Sequence, residues 1–264
     1  MRKHFKKAPY DLVLDLHASF RSALIGRTNP NGYRVGFGDG REGNPLVQNH
    51  LIQVKEQQIH ALDKNLLFCD YLECPARKAD FYLPFNKEDK LAAGNFLERV
   101  DSASQKNVIY FNPAARWETK YWYPEKWALL GDRLTREHNS LIVLAGSKAD
   151  REYLFKISSL MKEKAAVTAG ELSLPAIAAL MDRIAAYVGL DSGPMHMAAM
   201  AGVPVAALFG PTNPELVRPY GVRHRIIRNH DIDCLGCRKR YCESLACMKG
   251  ISVDQVYEEV LELS

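Results

Sequence analysis

No apolar stretch of the 264-residue chain is long enough to cross a bilayer. The longest, such as Leu174 to Met181 and Val203 to Phe209, fall well short of the roughly 18 to 20 residues that a spanning helix needs. Cysteine is scarce too: six residues are too few to build a disulfide scaffold in a chain of this size. Charge of one sign is nearly balanced, with 35 Lys and Arg against 31 Asp and Glu, a net +4. That surplus is too small to mark a nucleic-acid binder, for which a concentrated basic stripe is expected. The opening Met1-Arg-Lys-His-Phe-Lys-Lys7 is basic like the start of a signal peptide. Ala8-Pro-Tyr-Asp11 follows where a continuous apolar segment would have to begin, so a secreted protein is not expected and the cytoplasm is. A fixed-period repeat is also missing.

What is present describes a folded protein. Apolar residues make up 47% and charged residues 25%, close to the average for globular domains. Short aliphatic runs alternate with helical patterns almost from end to end, the mark of a parallel sheet with helices packed on it. Strands are expected at Asp11–Leu16, Arg34–Phe37, Val108–Asn112, Leu141–Ala145, Ala166–Thr168, Ile184–Val188, Val205–Phe209 and Arg225–Ile227. Helices are expected at Ala18–Gly26, Gln58–Glu73 and Lys87–Val100. One opens at Ser147-Lys-Ala-Asp150 and runs to about Lys162; another starts at Ser173 with Pro175 just inside; a last one, capped by Ser252 with Gln255, runs to Leu263. The polar run Asp101 to Asn107 reads as a linker, dividing the chain into an α/β unit 1–104 with two strands and an α/β unit 105–264 with six.

Gly38-Asp-Gly40-Arg-Glu-Gly43 matches the dinucleotide fingerprint letter for letter, but Asn44-Pro45 follows where the phosphate-binding helix would have to begin. A loop is expected, and with it a nicotinamide-dependent dehydrogenase is set aside. The segment Leu190-Asp191-Ser192-Gly193-Pro194-Met195-His196 carries more information, because a strand runs through a glycine turn into an alanine-rich helix. Such turns sit at the carboxyl edge of a parallel sheet, where unpaired backbone N–H groups favour anions. Taken singly, Asp191 or Ser192 is equally well read as a helix cap and His196 as a core histidine; together with the turn geometry they favour a binding site. The loop Pro113-Ala-Ala-Arg116-Trp-Glu-Thr119-Lys120-Tyr-Trp122 follows another strand, and its Arg116 and Lys120 are placed to meet phosphate as point charges. A surface loop with its aromatics packed on the domain is the alternative account. In a third loop, Gly146 to Glu152, Ser147 is explained by capping, and acidic residues there could receive a ribose or base.

The four thiols Cys234, Cys237, Cys242 and Cys247 lie within fourteen residues, close enough for a tetrahedral zinc site, although the second pair lacks the usual knuckle spacing. Unliganded loop cysteines are the alternative, and no metal is assigned. Arg218 to Arg240 holds seven Lys or Arg against two Asp, a stretch that would face phosphate-rich partners or an anionic membrane surface, or else form a solvated rim.

Three segments together resemble glycosyltransferase family 9, whose best-known members are ADP-heptose:lipopolysaccharide heptosyltransferases. They are Tyr10-Asp-Leu-Val-Leu-Asp-Leu-His17, the Lys120-Tyr-Trp122 loop, and Asp191 to Pro214 with its Ala-Gly-Val-Pro-Val-Ala-Ala-Leu-Phe-Gly-Pro-Thr-Asn-Pro. The resemblance covers nearly the whole chain from Tyr10. It implies a GT-B-like fold of two Rossmann-like doubly wound domains, the C-terminal one binding the nucleotide sugar and the N-terminal one the acceptor. It further implies that Thr119 and Lys120 hold the donor diphosphate and that Asp191, Ser192, Gly193 and His196 line the donor site. The implied reaction is inverting transfer of a heptose from ADP-heptose to the lipopolysaccharide inner core, of the Kdo-lipid A type. It would take place at the cytoplasmic face of the inner membrane with peripheral membrane contact, without cofactor or nucleic acid.

Members of the family open with a strand, a turn carrying a Gly-Asp pair whose aspartate is the expected base, a helix and another strand, a segment not found before Tyr10 here. On that reading the N-terminal domain is incomplete, the catalytic residue is unknown, and Asp15 and Asp39 are the nearest substitutes. The acceptor hydroxyl must lose its proton to a positioned group, so the chain as given is expected to transfer little or no sugar. A non-catalytic nucleotide-sugar-binding remnant is the alternative.

Overall fold

The computed structural model describes residues 9–56, 58–77, 81–101 and 106–263. The chain forms two compact units, Met1–Asp80 and Phe81–Ser264.

In the first unit β1 (Leu12–Asp15), β2 (Tyr33–Phe37) and β3 (His50–Ile52) form a parallel sheet in the order β1-β2-β3, with helices α1 (Phe20–Arg27) and α2 (Ala61–Tyr71). Ser19 caps α1, exchanging bonds with Ser22 in a capping box. A small core of Val35, Phe37, Ile52 and Phe68 joins sheet to helix, with Phe37 and Phe68 edge to face at 4.8 Å. The strand β3 was not expected: three residues are too few to show an alternation. The glycine-rich stretch is a loop, as its sequence context requires. Gly43 takes a left-handed φ of 75° and leads into a single 3-10 turn, Asn44–Val47, with Pro45 inside it.

The second unit carries β4 (Asn107–Asn112), β5 (Ser140–Leu144), β6 (Ala166–Val167), β7 (Ala186–Leu190), β8 (Val205–Leu208) and β9 (His224–Ile227). All pair in parallel, in the order β6-β5-β4-β7-β8-β9. The direction of winding reverses between β4 and β7, which is where open sheets of this type bind ligands at the carboxyl ends of their strands. Strands β5, β7 and β8 are buried along their whole length, so they read as continuous apolar runs without alternation. The period of two survives in which core each residue enters. Ile109, Phe111, Val188, Leu190, Ala206 and Leu208 join Trp122, Trp127, Leu130 and Leu134 on one face. Tyr110, Tyr187, Val205, Ala207 and Phe209 join Met195 and Leu180 on the other.

Helix α3 (Lys87–Val100), opened by an Asn86–Asp89 capping box, packs with α6 (Leu174–Met181) and buries Ala93, Phe96 and Leu97 in that second core. The expected boundary at 104/105 therefore falls after a helix whose apolar face belongs to the second sheet, and the units divide instead at Asp80/Phe81. Residues 102–105 of the expected linker, and the basic residues 1–7, lie outside the described residues.

Six more helices are described in the second unit: α4 (Pro124–His138), α5 (Arg151–Leu160), α7 (Gly193–Met200), the short α8 (Pro214–Val217) and α9 (Ala246–Lys249), and α10 (Val253–Leu261). The expected Ser147–Asp150 box is formed in both directions, over a 3-10 turn that precedes α5. Ser252 caps α10 through the Gln255 N–H, but the Gln255 side chain donates to the Arg228 carbonyl, so the reciprocal half of that box is missing. Strand β7 begins two residues later than expected, because Ile184 still turns back to the Met181 carbonyl. That shift places Asp191 directly after the strand. Among the described residues no helix is long and apolar enough to cross a membrane.

Candidate functional site

Within the second unit the loops after β4, β5, β6 and β7 converge at the carboxyl edge around a cleft of about 800 Å³. The β4 loop contributes Ala114, Arg116, Trp117 and Lys120; the β5 loop contributes Gly146, Ser147, Lys148 and Asp150. From β6 come Gly170 and Leu172, and from β7 Asp191, Ser192, Gly193, Pro194 and His196. Strand order brings these segments together although they are far apart in the chain, from Ala114 to His196.

Lys120 and Asp191 form the centre of the cleft. The Lys120 ammonium donates to the Asp191 carboxylate at 2.7 Å and to its backbone carbonyl at 2.8 Å. The two side chains are only 13% and 10% exposed. An ammonium has three N–H donors, so one remains for a ligand in the cleft. The lysine is steadied from below by the Trp117 ring, 5.0 Å from its nitrogen.

Helix α7 starts at Gly193 with Ser192 as cap residue and Pro194 in the first turn. The first turn of a helix leaves backbone N–H groups without partners, and the helix dipole adds positive potential there. A Cβ placed on Gly193 would meet nothing within 4 Å, so this helix end opens into free space. Gly170 is different: its φ is +75°, and a Cβ there would lie 2.5 Å from Lys148 Cγ and 2.6 Å from the Lys148 backbone nitrogen. Only glycine lets the β6 loop pass this close to the β5 loop.

The charge of the cleft is positive beyond the Lys120–Asp191 pair. Arg116 and Lys148 both line it, and no carboxylate among the described residues pairs with either. Asp150 Oδ2 accepts from the Ser147 N–H at 2.8 Å and its hydroxyl at 2.6 Å, so the acidic residue expected to receive a ribose is engaged in capping through that oxygen. Leu172, Leu174 and Ile177 give the cleft an apolar wall, with Leu174 68% exposed at the start of α6. Tyr110 lies beneath, stacked on Tyr187 at 5.7 Å, its phenol pushed well above the ordinary range by burial.

Of the six residues expected to bind a donor, Lys120, Asp191, Ser192, Gly193 and His196 line the cleft. Thr119 does not. It is buried, and its hydroxyl donates to the Lys239 carbonyl at 2.9 Å, tying the β4 loop to the cysteine-bearing segment. Asn112 was missed. Buried at the end of β4, it donates to the Ala114 carbonyl at 2.7 Å and to the Ser192 hydroxyl at 3.1 Å, and so joins the β4 and β7 loops. A polar side chain closing an otherwise apolar strand, Val108-Ile-Tyr-Phe-Asn112, was the available signal.

The two candidate bases of the first unit are both occupied. Asp15 is buried and accepts from the Ala18 N–H, the Ser22 hydroxyl, Asn44 Nδ2 and Gln48 Nε2, at 2.6 to 3.2 Å. Asp39 pairs with Lys64 at 2.6 Å on the surface. The four clustered cysteines are free thiols, Cys247 buried and Cys234 and Cys237 exposed. Among the described residues no group of three or more His, Cys, Asp or Glu is arranged to hold a metal ion.

The family model described as glycosyltransferase family 9 (heptosyltransferase) matches residues 1–247. The chain is 28% identical over 222 residues to the lipopolysaccharide core heptosyltransferase OpsX of Haemophilus influenzae, covering 83% of this chain and 62% of that protein. It is 28% identical over 245 residues to lipopolysaccharide heptosyltransferase 1 of Pseudomonas aeruginosa, covering 91% and 65%. The chain thus spans less than two thirds of the length of either relative. Among solved structures, ADP-heptose lps heptosyltransferase II of Escherichia coli matches with a TM-score of 0.74 at 25% identity, over 99% of this chain and 80% of that one.

Proposed function

The chain belongs to glycosyltransferase family 9, and from that premise we propose that it handles an ADP-activated heptose and transfers it to the inner core of lipopolysaccharide with inversion at the sugar carbon. The observation that carries this reading is the Lys120–Asp191 pair lying beside the open N-terminus of α7 at the switch point of the second sheet.

The chemistry asks for that arrangement. An acceptor hydroxyl attacks the anomeric carbon, the bond from that carbon to the diphosphate breaks, and negative charge grows on the departing phosphate. A fixed ammonium and the first-turn N–H groups of a helix, aimed at that charge in a partly dry cleft, stabilise it without having to reorganise. Lys120 supplies the ammonium, Gly193 and His196 lie on the first turn of α7, and Arg116 and Lys148 add unpaired positive charge at the rim. Asp191 holds Lys120 in place, Asn112 and Ser192 fix the two loops to each other, and Thr119 positions Lys120 through its bond to Lys239. The wall of Leu172, Leu174 and Ile177 suits the flat face of a nucleobase. The acceptor hydroxyl must lose its proton to a positioned group; no base is assigned, and Asp15 and Asp39 both have partners within the first unit. The reaction belongs at the cytoplasmic face of the inner membrane, where the acceptor is a lipid-borne saccharide.

The test is calorimetric titration of the protein with ADP and with UDP, repeated on Lys120→Ala and Asp191→Ala, alongside an assay of ADP release from ADP-heptose with a lipopolysaccharide core acceptor. ADP-selective binding weakened by both changes supports the donor site. Failure to bind either nucleotide would sink it, and binding without turnover would favour a nucleotide-sugar-binding role.

A further inference from the structure

The segment that follows β9 packs on the loops after β8 and β4. Gly236 N–H donates to the Gly210 carbonyl at 3.1 Å and Arg238 N–H to the Pro211 carbonyl at 2.7 Å, fixing the segment to the loop after β8. Arg238 takes a left-handed φ of 57°, which turns the chain there. The Lys239 carbonyl then accepts from buried Thr119, next in sequence to the cleft lysine. The result is that the guanidinium of Arg240 lies 4.9 Å from the centre of the Trp117 ring.

Trp117 lines the cleft, and the same ring carries Lys120 at 5.0 Å. Two cations therefore share one indole, whose negative face attracts both. Their neutralisation is unequal. Lys120 is matched by Asp191, whereas Arg240 is exposed and no carboxylate among the described residues pairs with it. A cation held at a fixed place by a ring and a pinned backbone, yet left without an anion, is suited to take one from a ligand, and a planar guanidinium does so with two parallel N–H bonds to phosphate oxygens.

We propose that Arg240 is a specificity residue for the second phosphate of the donor, so that the site prefers a nucleoside diphosphate over a monophosphate. The inference rests on the donor-site reading of the cleft and adds to it a residue from outside the four loops that line it. In this arrangement Lys120 and the α7 N-terminus meet one phosphate, and Arg240, held over the Trp117 ring, meets the other.

The experiment is calorimetric titration of the full chain with ADP and with AMP, on the wild type, Arg240→Ala and Arg240→Lys, with thermal unfolding of each. The expected result is a loss of about tenfold in ADP affinity for Arg240→Ala, the scale of one charge-assisted hydrogen bond, with AMP affinity within about twofold of wild type. Arg240→Lys should recover part of the ADP affinity, and the unfolding midpoints should coincide, since the side chain is exposed. An unchanged ADP affinity in Arg240→Ala overturns the proposal, and so does a loss that is equal for ADP and AMP. A wild type that binds AMP and ADP equally tightly overturns it as well, while leaving the donor site standing. Uptake of neither nucleotide by the wild type overturns the donor-site reading and this inference with it.

Discussion

The ammonium of Lys120 is bonded to both the carboxylate and the backbone carbonyl of Asp191, so the cation of the β4 loop is fixed by the residue that leads into α7. Neither side chain is free to wander. A pair this little exposed gains from its geometry only while both members are present, because losing one leaves the other charged and poorly solvated.

Lys120→Met and Asp191→Leu should each destabilise the second unit by about 3 kcal/mol, while the double change should be destabilised by less than the sum. Urea unfolding of the four proteins completes the cycle. Additive losses would show that the pair is not coupled. The ADP affinity of Lys120→Met should fall by at least about tenfold, a loss of the order expected for a hydrogen bond to a charged group.

Gly193 and Gly170 separate ligand space from fold space. At Gly193 an added methyl group meets no protein atom, so Gly193→Ala should leave stability within about 0.5 kcal/mol of wild type and still weaken ADP binding by crowding the phosphate. At Gly170 the methyl meets the Lys148 backbone and φ is +75°, so Gly170→Ala should lose about 2 kcal/mol or more of stability. Thermal unfolding with and without ADP reads both. An alanine at position 193 that binds ADP normally would mean that no ligand approaches this helix end.

How much of this was legible in the sequence depended on whether the signal was local. Asp191, Ser192 and Gly193 stood out because strand, glycine turn and proline-started helix are consecutive, and α3, expected from about Lys87 to Val100, forms over that range. Asn112, Lys148 and Gly170 did not stand out. Their importance comes from β6, β5, β4 and β7 lying side by side, a strand order that no spacing of residues reveals. Thr119 was placed in the right loop, but its bond to the Lys239 carbonyl, which spans 120 residues, left no local signal. The domain boundary failed for the same reason: α3 has an evident apolar face, but only the packed structure shows that α6 covers it.

Helix α10 is held to α4 by a titratable contact. Tyr257 donates its hydroxyl to Glu137 at 2.6 Å, and Arg133 lies 3.5 Å over the Tyr257 ring while bonding Glu137 and Asp254. The Tyr257 bond first, and then Arg133, hold the Glu137 carboxyl below its ordinary value. A carboxylate whose folded value is depressed adds stability that is fully present above the unfolded value, about 4.3, and lost as pH falls through the folded one. Glu137→Gln should therefore show a shallower loss of unfolding midpoint than wild type below about pH 4.3. Equal slopes in the acid range would remove the contact from the account.

Asp15 invites a catalytic reading, since it is a buried aspartate at the carboxyl end of a strand in the unit expected to face the acceptor. Its surroundings favour another role. One carboxylate oxygen takes the Ala18 N–H, and the other takes the Ser22 hydroxyl, Asn44 Nδ2 and Gln48 Nε2. All four partners are donors, which suits an ionised carboxylate and leaves little room for a substrate hydroxyl. Asp15→Asn would turn an amide donor against at least one of them, at a cost of about 1–3 kcal/mol for a buried group left unpaired. The expected outcome is a lowered unfolding midpoint of the first unit, with ADP binding by the second unit unchanged. A folded Asp15→Asn protein of wild-type stability that has lost turnover would instead identify Asp15 as the base, because an asparagine that fits among four donors without penalty would mean the carboxylate was not there to anchor the loop.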